Sequence, residues 1–269
     1  MKRAIIATRS CLLLGILTSG PAFGEESGKD LLKKSADSVK KVKSASYKAD
    51  YTGTGWVAAF VADVRGTAII GGRSEWDVAR FRCDVKLRKP RPDDEDKDES
   101  GEAKSESQGL WSDEVKSFTA GCDGDVYFLI DPQAKIAYQD MDPAVLGADS
   151  RNLQRVILPE FSADEPFKEA LEAESVEIAG SESVAGEDCH RVTVKTGEPS
   201  PAAVDWYISK KDYLPRKVVR TYNNRSDPEG SPGTTELTIS QLVVNPKLKA
   251  DPFKLVLPSG FKKTEEFAP

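Results

Sequence analysis

Apolar and polar residues follow two distinct periods along this chain. In residues 29–43, KDLLKKSADSVKKVK, Leu31, Leu32, Ala36, Val39 and Val42 fall on one stripe at the helical repeat and lysines occupy the opposite face. From Ala45 the pattern changes to short runs rich in β-branched and aromatic residues. It predicts strands near 45–52, 55–64, 66–71, 74–87, 116–122, 125–131 and 134–139, with tight turns at Gly71-Gly72 and Asp123-Gly124. The pattern breaks between 142 and 172. Asp142-Pro143 can open a helix there, and 166–174, PFKEALEAE, forms a second short helical candidate. Strands resume near 175–180, 182–185, 188–196, 203–209, 214–223 and 234–244.

A run of about eleven strands with one helix in front and a helical interlude in the middle predicts an α+β domain built on an antiparallel sheet. An antiparallel strand with one wet face alternates apolar with polar residues. WVAAFVADV (56–64) and DVYFLID (125–131) are instead apolar in both registers, so both faces of the sheet need cover there. Two helices cover only part of such a sheet, and what remains is either a cavity or a sheet curled over itself. In the hairpin DWYISKKDYLPRKVVRTY (205–222), Trp206 and Ile208 share one face and Tyr207 takes the other. Pro215 suits the first position of the second strand, because it has no N–H to offer a neighbour.

Composition adds a compartment and removes several functions. Lys2, Arg3 and Arg9 precede a short apolar run, and Ala22-Phe23-Gly24 supplies small residues at a cleavage site, which predicts a signal peptide over 1–24 cleaved after Gly24. The expected mature chain, residues 25–269, is then one exported domain, periplasmic or secreted, and not membrane-spanning. Residues 88–116 contain a strongly charged tract without apolar residues and read as a disordered acidic loop. The net charge of −6 argues against nucleic acid as a partner, since phosphate binding needs a basic face.

Candidate chemistry is sparse. Beyond the leader lie Cys83, Cys122 and Cys189. Cys83 and Cys122 flank the acidic tract and come roughly opposite each other if the flanking strands pair, which permits one disulfide; buried separate thiols are the alternative. His190 is the only histidine, and its neighbour Cys189 points to the other face of the strand, so those two form no dyad. DDEDKDES lacks the glycine and distal glutamate of a calcium loop, and no CxxC or HxxxH occurs. No catalytic residue, metal site or cofactor is expected.

Asp205-Trp206-Tyr207-Ile208 with Leu214-Pro215-Arg216-Lys217-Val218, and the terminal stretch Phe253 to Phe261 (FKLVLPSGF), resemble the hairpin and tail of the LolA-like superfamily of periplasmic lipoprotein carriers and related sensor domains. The resemblance follows the whole mature chain in order. It implies a curved antiparallel sheet, a half-barrel, with helices on the concave side, and residues 29–43 and 142–158 as lids. It further implies a carrier or binding protein that shields lipid or lipoprotein acyl chains. An acyl chain of some 16 carbons carries about 12 kcal/mol of transfer energy at about 0.8 kcal/mol per CH₂, so it does not cross water unshielded. The cavity candidates are the large apolar residues expected to face inward: Leu31, Val39, Trp56, Phe60, Trp76, Tyr127, Leu129 and Trp206. The family's carriers hold the lid with an arginine near the first strands; Arg65 and Arg73 both occupy a comparable region, and spacing selects neither. Two further readings stand beside the carrier: an envelope sensor or interaction module with a protein partner, and a structural domain without ligand.

Overall fold

A computed structural model describes residues 26–75, 77–90, 111–147, 152, 155–196, 201–224, 230–247 and 251–266. The expected signal peptide, Trp76 and residues 91–110 of the acidic tract lie outside the described residues. Among the described residues twelve strands form one open, curved sheet. They are β1 (Ala45–Thr54), β2 (Asp63–Arg73), β3 (Ala79–Pro90), β4 (Trp111–Cys122), β5 (Tyr127–Asp131), β6 (Ile136–Asp140), β7 (Ser175–Val184), β8 (Glu187–Lys195), β9 (Ala203–Ser209), β10 (Pro215–Tyr222), β11 (Gly233–Val244) and β12 (Lys262–Thr264). Their spatial order is β12-β6-β5-β4-β3-β2-β1-β11-β10-β9-β8-β7. Two meanders, β1 to β6 and β7 to β11, are therefore joined side by side through the β1–β11 pairing. All pairings are antiparallel except β12 with β6. The expected half-barrel is the observed fold, with a twelfth strand that no pattern in KKT announces.

This order forces two long crossings. β6 lies next to one edge of the sheet and β7 forms the other, so the chain between them, 141–174, must cross the full width of one face. β11 lies mid-sheet and β12 beside β6, so the chain between those two crosses the opposite face. The first crossing lies over the inner, concave face. Its described residues include 3-10 turns at Pro143–Leu146 and Pro159–Ser162 and the short helix α2 (Lys168–Glu172). Val145, Leu146, Val156, Leu158, Phe161 and Phe167 are buried along it.

Helix α1 (Gly28–Val39) closes the inner face at the β7–β8 edge and packs on α2. Ser27 caps it, its Oγ accepting from the Asp30 N–H at 3.1 Å, and Asp30 adds negative charge to the first turn. Leu31, Leu32, Ala36 and Val39 are buried against the core, each leucine worth about 1.5–3 kcal/mol.

The second crossing explains the strand that is apolar on both faces. On β5, Leu129 faces the main core, while Phe128 and Ile130 join Ala137 on the outer face beneath Leu255 and Phe261. Phe253 continues this strap: its ring lies where a Cβ on Gly71 would sit, 2.8 Å away, so only glycine admits it. Arg80 stacks on that ring at 4.6 Å and pairs with Asp251 at 2.8 Å.

Several expected elements are placed differently. Residues 55–59 form a 3-10 turn instead of a strand, because the chain reverses at Gly55 (φ +61°), where a Cβ would come within 2.7 Å of the Pro232 carbonyl. Gly71 and Gly72 lie inside β2, and the turn falls at Ser74–Val78, closed by Ser74 N–H to Val78 O. Residues 175–184 make one strand. No disulfide joins Cys83 and Cys122. Register sets Cys83 opposite Ala120 and Cys122 opposite Phe81, a diagonal of about 7–8 Å between backbones, beyond the reach of an unstrained bridge. Burial pushes the Cys83 thiol up to about 12 and that of Cys189 up to about 11, far from the range of a reactive thiolate.

Candidate ligand groove

The crossing over the concave face is fastened at one side. Tyr47, fully buried on β1, donates its hydroxyl hydrogen to the Val156 carbonyl at 3.0 Å and accepts from the Leu158 N–H at 2.9 Å. Two backbone groups that a strand cannot reach are satisfied by one side chain. Burial drives the Tyr47 phenol far above its ordinary pKa, so it stays neutral and able to donate. Phe161 packs on the same ring, centroids 6.0 Å apart. Arg73 at the end of β2 donates its Nε–H to the Ser162 carbonyl at 2.8 Å, while Arg65 pairs with Asp50 and Asp63 away from the crossing.

Beyond Ser162 the crossing stands off the sheet and leaves a cavity of about 440 Å³, open to solvent. Its floor is Val194 of β8 with Val204 and Trp206 of β9, and its wall is Phe167 and Ala170. Phe167 holds a left-handed backbone (φ +60°) just before α2, which turns its ring edge-on to Trp206 at 4.9 Å. The mouth carries Glu165, Lys168 and Glu169, and Glu160 lies deeper. Burial pushes the Glu160 carboxyl up to about 7, against the opposing pull of Arg220; its Oε2 has no hydrogen-bond partner among the described residues.

A second cavity, about 310 Å³, adjoins the first and shares Pro159 and Arg220 with it. Tyr51 of β1, Tyr222 of β10 and Thr235 and Leu237 of β11 line it from the sheet, and Arg155 and Ile157 from the crossing. Arg220 faces inward here, opposite Val204 and Thr235 in the strand register.

The sequence candidates divide between three environments. Trp206, 5% exposed, lines the larger cavity. Leu31, Val39 and Leu129 are buried in the main core, with Tyr127 packed against it beside Phe81; they fill the concave side instead of lining space. Trp56 and Phe60 are a correction: they sit on the 3-10 turn at the rim, 36% and 73% exposed, edge-on to each other at 6.0 Å, and line neither cavity. Phe167, Glu160, Arg155 and Arg220 were not singled out. The only sequence signal for them is their place in or opposite the 142–172 interruption, which does not reveal that the segment crosses the sheet.

The pair Cys189–His190 separates as the alternation requires. Cys189 packs with Val184 and Tyr207 on the outer face, and His190 pairs with Ile208 on the inner one. Cys83 and Cys122 lie on β3 and β4, several strands distant from His190 on β8 in the sheet order. The outer face of β8 to β11 is polar and internally paired. Arg191 meets Asp205 at 2.6 Å, Lys217 meets Glu236 at 3.2 Å, and the buried Arg216 meets Asp212 and Glu187 at 2.7 and 2.9 Å.

The fold is an open half-barrel with a partly filled concave side and a groove along it. The chain belongs to the family described as "Predicted periplasmic protein (DUF2092)", whose model matches residues 116–265. Among solved structures it is similar to an uncharacterized conserved protein from Thermus thermophilus, with 9% identity, TM-score 0.43, and 86% of this chain and 97% of that chain covered. It is also similar to LprF from Mycobacterium bovis, with 12% identity, TM-score 0.40, and 87% and 97% covered. A LolA superfamily protein from Nitrosomonas europaea is similar at 10% identity and TM-score 0.29, with 85% and 98% covered. No curated protein matches the chain. No helix of the described residues is long and apolar enough to cross a membrane.

Proposed function

We propose that the protein binds an acyl chain in the groove between residues 159–170 and strands β8 and β9, as a lipid-binding or carrier protein of the periplasm. The observation that carries the reading is the 440 Å³ cavity with an apolar floor and wall on the concave face, within the range of small-molecule sites. Each CH₂ removed from water there contributes about 0.8 kcal/mol, so a tail that inserts eight to ten carbons gains about 6–8 kcal/mol before the cost of ordering it. The site is open at one side, which suits a ligand that is taken up and given back. The periplasmic description of the family and the expected leader agree with this setting. Cys83, Cys122 and Cys189 are buried with raised pKa values, which suits packing in the sheet.

The test is native mass spectrometry of protein purified from the periplasm, together with titration by a fluorescent fatty acid. Co-purified lipid and saturable uptake are expected, with uptake abolished by Ala163→Trp, which fills the cavity from its wall. Protein that is consistently empty and takes up no probe contradicts the proposal and leaves the interaction-module or structural readings.

A further inference from the structure

We infer that the smaller cavity is a headgroup site for an anion, so that the ligand is an amphiphile with a carboxylate or phosphate head held by Arg155 and Arg220 and its tail in the larger cavity. This rests on the acyl-binding reading above and specifies its ligand class. The charged residues lining the smaller cavity are Arg155 and Arg220, with no carboxylate among them, although the whole chain carries a net charge of −6.

The other partly buried arginines show what such a side chain ordinarily requires. Arg216 has Asp212 and Glu187, Arg191 has Asp205, Arg88 has Asp63, and Arg80 has Asp251. Arg155 and Arg220 form no ion pair within 4 Å among the described residues; the carboxylate that feels Arg220, Glu160, lies on the larger cavity. Arg155 stacks over the Tyr51 ring at 5.3 Å, which fixes the plane of its guanidinium, and its buried Nη1 lacks a hydrogen-bond partner. A buried cationic donor left unpaired is costly, and two like charges lining one cavity repel; an anion between them removes both penalties. Tyr51, Tyr222 and Thr235 line the same space with hydroxyl-bearing side chains suited to the remaining lone pairs. Because Pro159 and Arg220 line both cavities, a head in one continues directly into a tail in the other.

The experiment is calorimetric titration of the full mature protein with dodecanoate, dodecyl phosphate, 1-dodecanol and inorganic phosphate. Either anionic amphiphile should bind about 10- to 100-fold tighter than dodecanol, the range of charge-assisted hydrogen bonds. The preference should vanish in Arg155→Gln/Arg220→Gln while dodecanol binding persists, and Arg220→Lys should keep part of it. Circular dichroism checks that the variants fold; the wild-type comparison needs no variant. Equal binding of dodecanol and dodecanoate overturns the headgroup site and leaves the acyl groove standing. Inorganic phosphate bound as tightly as dodecyl phosphate overturns the amphiphile, since the tail then adds nothing. No binding of any tailed ligand overturns both readings.

Discussion

Two stretches of the same concave wall differ in how their cover is attached. Over β1 and β2 the crossing segment is fastened by Tyr47, whose hydroxyl serves the backbone at Val156 and Leu158, and by Arg73 at Ser162, and the wall beneath is filled by the protein's own side chains except beside Tyr51, where the smaller cavity begins. Over β8 to β10 the same segment continues through Ala163, Phe167 and Ala170, and a groove remains under it. The inner face of the first stretch presents Tyr47, Val64, Ala68 and Ile70, whereas that of the second also carries His190 and Arg220. Where the cover is fastened the half-barrel is mostly core, and where the cover runs on past Ser162 a groove remains.

The filled region is broken most sharply at Leu31, fully buried in α1. Leu31→Ala should lower unfolding stability by about 3 kcal/mol in denaturant titration while the folded protein still takes up probe. Loss of uptake by a folded Leu31→Ala protein would place the site under α1 instead. Next comes the fastening itself: Tyr47→Phe leaves the Val156 carbonyl and Leu158 N–H unpaired and should cost about 2 kcal/mol. Its amides near 156–162 should also exchange hydrogen faster than in the wild type.

The groove is sharpened by Glu160. Burial raises its pKa in the fold to about 7 from an ordinary value of 4.5, so the fold favours the neutral acid. The stabilising contribution is complete below about pH 4.5 and is lost as the pH rises through about 7. Glu160→Gln should therefore raise stability by about 1–2 kcal/mol at pH 8 and leave it unchanged at pH 4, read from melts at both pH values. The smallest effect belongs to the rim: Phe60→Ser, at a position 73% exposed, should change stability by less than about 0.5 kcal/mol and leave uptake intact.

The strands were legible because burial alternates along them. Ala45, Tyr47, Ala49 and Tyr51 on β1 are buried at every second position, and the hairpin at 203–222 places Trp206, Tyr207 and Pro215 as its pattern requires. WVAAFVADV misled because an apolar run fits a strand or a turn of helix, and Gly55 decides for the turn through a backbone angle invisible in composition. Of the residues that line the larger cavity, the sequence singled out Trp206. Arg155 and Arg220 carry no signal of their own in the sequence, since their shared cavity exists only after β6 and β7 are placed near opposite edges and the chain between them crosses the sheet. Phe128 and Ile130 signalled that the outer face needed cover, but the sequence did not say that the tail at 251–261 supplies it.

The central claim is tested most directly by a crystal structure of the protein with a terminally brominated hexadecanoic acid. An anomalous bromine peak between Phe167, Val204 and Trp206 is the expected result. A peak under α1, on the outer face, or nowhere in an otherwise clear map would contradict it.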